Sequence, residues 1–101
     1  MIRTSFSLFN TSTMHFLKEH LAPGNYEWSN TLIYTGDPSR RLYNRNNGNQ
    51  LLFLINQFAA SATAFDIKQG VQIQNMLMHQ LPVEAKSEMS VLKWLNEKVV
   101  A

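Results

Sequence analysis

Apolar positions recur along this chain at two different periods, and the change of period divides it. From Leu51 to Phe65, the residues Leu51, Leu54, Ile55, Phe58, Ala62 and Phe65 fall at intervals of three and four, with Asn56, Gln57, Ser61 and Thr63 off the stripe. Such spacing brings the apolar side chains onto one face of a helix. Asn47-Gly48 just before it is a strong hairpin signal when strands flank it, but the length of the stripe decides for a helix. Asn47 and Gln50 then form a capping-box pattern, with the Gln50 amide expected to reach back to the cap.

The same logic repeats at Asp66 and Gln69, which open a second predicted helix to about Gln80. Gly70 weakens it, and VQIQ at 71–74 also reads as a strand. Pro82 ends the pattern. Val91, Leu92, Leu95 and Val99 then mark one face of a final helix, capped from Ser87 or beginning at Val83, with Glu84, Lys86, Glu88, Lys93, Glu97 and Lys98 assigned largely to its solvent side.

Before residue 47 the pattern differs. Residues 2–9, IRTSFSLF, partly alternate and suit a half-buried strand. Met14, Leu17 and Leu21 predict a short helix that stops before Pro23 and Gly24. Between Asn25 and Arg45, the residues Tyr26, Trp28, Thr31, Ile33, Tyr34 and Tyr43 favour strands, with turns at Ser29-Asn30 and Gly36-Asp37-Pro38-Ser39. An antiparallel β-meander of two or three short strands is the expectation. The fold class is therefore α+β: a small antiparallel meander with a short N-terminal helix and two to three C-terminal helices forming the main core.

Composition sets limits on this picture. The 101 residues, 45% of them hydrophobic, support a single domain over residues 1–101 with one core. Cysteine is absent, which excludes disulfides, thiolate metal sites and thiol nucleophiles. The start MIRTSFSLFNTSTMHF is too short in apolar run and too polar for a secretory signal, so a cytoplasmic location is expected. The longest uncharged stretch, residues 46–65, holds too many amides and hydroxyls for a membrane span, so no membrane partner is expected.

Net charge is only +2, with a pI of about 9.2, but it is unevenly placed. Residues 1–45 carry Arg3, Lys18, Arg40, Arg41 and Arg45 against Glu19, Glu27 and Asp37, while the remainder is balanced. The concentrated part is RRLYNRNNGNQ, residues 40–50. Arg40, Arg41 and Arg45 are candidates for contacts to phosphate, Tyr43 for stacking on an unpaired base, and Asn44, Asn46, Asn47 and Asn49 for hydrogen bonds to backbone or base edges. The competing reading is that the arginines pair with acids or water and the amides shape a turn and cap the next helix.

Other chemistry is thin. His15 and His20 are five apart, off a common helical face, and His79 stands alone, so no metal site is predicted. No nucleophile elbow or phosphate loop is present, GDPSRR lacking the second glycine and the lysine. A helix-turn-helix over residues 51–80 lacks a turn glycine and has Lys68 as the sole cation of its second helix. A small metal-independent ribonuclease, with the arginines holding phosphate and Tyr43 or a histidine moving a proton, is a remote alternative. Trp28, Met76, Met78 and Trp94 are core types that also suit an interface. The expected function is that of a small non-enzymatic regulatory or adaptor protein working through protein contacts, as a homodimer or with another protein, without catalytic residues, metal or cofactor. The alternative is nucleic-acid binding through the arginine loop.

Overall fold

The structure, a computed structural model, describes residues 16–30, 34, 36–62 and 65–99. Three α-helices are present among them, α1 (Gly48–Ser61), α2 (Ile67–His79) and α3 (Glu88–Lys98), and each begins where the sequence places a cap. The Asn47 side chain accepts from the Gln50 amide N–H, that of Asp66 from Gln69, and that of Ser87 from Ser90. These bonds satisfy backbone donors that the first helical turn leaves without a partner. Residues 71–74 are helical throughout.

α1 is central and packs against both α2 and α3. Leu51, Leu54 and Ile55 of α1, Ile73 and Leu77 of α2, and Val91 and Leu95 of α3 are fully or almost fully buried. Phe16 joins them from the segment ahead of the helices, with its ring edge-on to Phe65 at 6.1 Å. Gly70 permits this approach: a Cβ there would come within 2.1 Å of the Phe16 ring. The glycine that weakens α2 as an isolated helix is thus the place where the N-terminal segment meets it.

No β-sheet forms among the described residues, and the expected α+β class with its meander is corrected to an all-helical domain. What remains of the strand pattern is a parallel bridge between Glu27 and Asn47 and an antiparallel bridge between Leu42 and Ser87. The N-terminal strand predicted at residues 2–9 lies outside the described residues, as do Thr31–Ile33 and Thr35 of the meander. The predicted short helix over residues 14–21 is, in its described part, a single 3-10 turn at Lys18–His20.

Side-chain amides of the helices explain the missing sheet. Asn56 of α1 accepts from the Phe16 N–H through Oδ1 at 2.7 Å and donates to the Phe16 carbonyl through Nδ2 at 2.9 Å. Gln74 of α2 holds the N–H and carbonyl of Ala22 in the same way, at 2.8 and 3.0 Å. Asn49 does so for Ser29 at 2.8 and 3.0 Å, and Gln50 accepts from Asn44 N–H while donating to the Leu42 carbonyl. Each primary amide carries a donor and an acceptor spaced like a peptide group, so it supplies an extended segment with the two bonds that a neighbouring strand would otherwise make. Elsewhere among the described residues the extended segments meet only in single bridges beside the helix starts: Glu27 donates to the Asn46 carbonyl and accepts from Gly48 N–H, and Tyr43 N–H donates to Lys86.

Candidate functional site

The arginine loop leads directly into α1, and its amides are taken up by the fold. Asn44 accepts from the Asn46 N–H, Asn47 caps α1 and donates to the Tyr34 hydroxyl at 2.7 Å, and Asn49 holds Ser29. Gln50 does not reach back to the cap as expected. It is buried and donates at 2.7 Å to Oε2 of Glu88, the first residue of α3.

Glu88, assigned by sequence to the solvent side, is fully buried. Arg41 grips it with both arms of its fork, Nε to Oε2 at 2.9 Å and Nη2 to Oε1 at 3.0 Å, and the Ser39 N–H donates to Oε1 at 3.0 Å. Burial alone would push the Glu88 carboxyl up. The hydrogen bonds from Arg41, Gln50 and Ser39 together with the charge of Arg41 outweigh it and hold the group below its ordinary 4.5. The Arg41 guanidinium also lies over the Tyr34 ring at 4.7 Å. This cluster ties the loop to α1 and α3, so the positive charge of Arg41 is matched inside the protein.

The other two arginines are placed differently. Arg40 is exposed and makes no hydrogen bond or ion pair among the described residues. Arg45 donates from Nη2 to the Leu81 carbonyl at 3.1 Å and forms part of the wall of a hollow of about 370 Å³. Tyr43 lines the same hollow, with Tyr26, Leu77 and Met78. Burial pushes the Tyr43 hydroxyl well above its ordinary value of 10.0, Tyr26 adds to this, and Arg45 opposes it.

A second hollow, of about 580 Å³, runs along the outer flank of α2 beside Ala22 and Pro23. Lys68, Val71, Asn75 and Met78 line it at helical intervals. The two hollows adjoin, since Gln74 and Met78 are walls of both, and no carboxylate lines either one.

The remaining interface candidates are dispersed. Met78 is 39% exposed at the junction of the hollows, whereas Met76 is half-buried. Trp94 packs partly buried against the core. Trp28 stands edge-on to Tyr26 at 6.3 Å with the Lys18 ammonium 4.5 Å above its ring. Apolar side chains exposed elsewhere include Leu42, Val83 and Met89.

His20 accepts from the Leu17 N–H at Nδ1, and its ring packs on Phe16. His79 lines the α2 hollow, and His15 lies outside the described residues. No group of three metal-ligating side chains occurs among the described residues, and no described helix is long and apolar enough to cross a membrane. Comparison with family models, curated proteins and solved structures finds no significant match.

Proposed function

We propose that this protein is a non-enzymatic interaction module that takes an amphipathic, acidic peptide segment of another protein along the outer flank of α2. The observation that carries this reading is the hollow of about 580 Å³ along α2, lined by Lys68, Val71, Asn75 and Met78. Its apolar side chains, Val71 and Met78, supply contact area, and methionine adapts to partners of differing shape. Lys68 near the start of α2, with no carboxylate in the wall, favours a ligand of negative charge. The hollow on α3 beside Met89 and Leu92 is smaller, about 400 Å³, and its wall carries both Lys93 and Glu97, which gives it no such preference.

Nucleic-acid binding through the arginine loop has less support. The Arg41 charge is matched by Glu88, which leaves Arg40 and Arg45 to meet phosphate. Two such contacts give only a shallow dependence on salt.

Selection of peptides displayed on phage, first against the wild-type protein and then counter-screened against Met78→Asp, tests the proposal. Enrichment of peptides with apolar and acidic positions that lose binding to Met78→Asp is expected. Failure to enrich any peptide, or enrichment of peptides indifferent to Met78→Asp, overturns it. Sedimentation at micromolar concentrations separates this reading from self-association: a dimer dissociated by Met78→Asp would assign the same flank to a second copy of the chain and refute a foreign peptide as its occupant.

A further inference from the structure

We infer that the hollow between Tyr26, Tyr43 and Arg45 binds a small organic anion, an acidic oxygen group carried on a flat apolar body. This hollow adjoins the α2 flank at Gln74 and Met78, but the inference rests on Tyr26, Tyr43 and Arg45, which do not line that flank.

Its volume, about 370 Å³, falls at the lower end of the range of about 300–1,000 Å³ typical of ligand pockets, which suits a body of one or two rings. The floor is apolar, from Leu51 and Leu77, each only 1% exposed, with the Tyr26 ring and Met78 at the sides. Arg45, Tyr43 and Tyr26 bring polar groups to the same wall. The bond from Arg45 Nη2 to the Leu81 carbonyl orients the guanidinium, and its Nε and Nη1 donors have no partner among the described residues. A guanidinium held at one arm loses less freedom when it grips an oxyanion with its remaining donors.

The Tyr43 hydroxyl likewise has no hydrogen-bond partner among the described residues, although the side chain packs against the core. The Tyr26 hydroxyl accepts from Gln74 Nε2 at 2.9 Å, so its own proton is left to donate. Tyr26 and Arg45 lie close enough to Tyr43 to act on its ionisation, Tyr26 raising its pKa and Arg45 lowering it. Two hydroxyl donors and one cation around a wall without a carboxylate match a single anionic group. An apolar floor with aromatic sides matches the rest of the molecule. A partly buried donor without a partner carries a cost, and a ligand oxygen that accepts from Tyr43 reduces it.

The chemistry fits a carboxylate or a phosphate monoester, and the probes separate them. Benzoate and phenyl phosphate would be titrated into the full chain by calorimetry and by the fluorescence of Trp28, which contacts the Tyr26 ring, with benzyl alcohol as the neutral control. Saturable binding of at least one anion is expected, and the tighter of the two assigns the acidic group. Arg45→Gln weakens that binding by roughly tenfold or more, as loss of a charge-assisted contact should. Tyr43→Phe weakens it several-fold, and Arg40→Gln leaves it unchanged. Circular dichroism confirms folding of each variant, and Arg45→Lys, which keeps charge but not the fork, should fall between wild type and Arg45→Gln. The inference is overturned by benzyl alcohol binding as well as the anions, by equal affinity in Arg45→Gln, or by no saturable binding of either anion up to about 10 mM, well past the regime of a weak specific site near 1 mM.

Discussion

Replacing Glu88 with glutamine preserves side-chain size while removing one charge and one acceptor from the centre of the fold. In the wild type, Oε2 accepts from Arg41 Nε and Gln50 Nε2, and Oε1 from Arg41 Nη2 and the Ser39 N–H. Glutamine must place an NH2 group at one of these positions, so whichever way its amide turns, two donors face a donor. Glu88 and Gln50 are buried, so no water layer relieves the conflict at Gln50. Breaking a buried charge pair from one side costs about 3–5 kcal/mol. The Arg41 side chain is 47% exposed and can re-solvate, so the lower end applies, about 3 kcal/mol, a large share of the 5–15 kcal/mol typical of a domain.

Urea denaturation followed by tryptophan fluorescence reads this directly, with exposed Glu84→Gln as the control. The pH dependence has a definite sign. The folded carboxyl ionises below its ordinary 4.5, so its contribution is complete above that value and is lost as pH falls beneath it. Glu88→Gln should therefore flatten the acid limb of the stability profile as well as lower its plateau. A cost under about 1 kcal/mol, within the range of an exposed pair, or an unchanged acid limb would refute a structural role for the cluster.

Three further changes probe the rest of the fold. Gly70→Ala gains about 1 kcal/mol in helix propensity but drives a Cβ to 2.1 Å from the Phe16 ring, so thermal melting should show a net loss of roughly 1–2 kcal/mol. Asn56→Leu leaves the N–H and carbonyl of Phe16 without their partner, at about 2 kcal/mol, and hydrogen exchange at the Phe16 amide should accelerate well before global unfolding. Tyr43 is held neutral by burial, so stability is whole below its ordinary 10.0 and declines as pH rises past that value; Tyr43→Phe should remove this alkaline loss while costing little at neutral pH, as judged by denaturation at pH 7 and 11.

The helices were legible because each start carries a cap residue, reinforced in α1 and α3 by an apolar period of three and four. Asn47, Asp66 and Ser87 all cap as their positions imply. The meander was not, because aromatic and β-branched residues favour extended backbone without saying what pairs with it. Here Asn49, Gln50, Asn56 and Gln74 do the pairing from helices, although Asn56 lies off the apolar stripe and residues 71–74 also read as a strand. The signal for two buried polar groups was nevertheless present: Glu88 stands three before Val91 and seven before Leu95, and Gln74 three before Leu77, so each shares a face with core residues. A polar residue on an apolar stripe signals a buried hydrogen-bonding group.

The candidate site was half legible for a related reason. The arginine loop stood out by charge, and Tyr43 and Arg45 do line a hollow together. Nothing local distinguished them from Arg41, whose partner lies 47 residues away on α3. Long-range ion pairs of this kind leave no spacing to read.

The docking flank on α2 is tested most directly by an amide chemical-shift map, in which a display-selected peptide is titrated into isotopically labelled protein. Shifts should cluster on Lys68, Val71, Asn75 and Met78 and leave Met89 and Leu92 of α3 unmoved. Shifts centred on α3, or spread evenly over the surface, would contradict it.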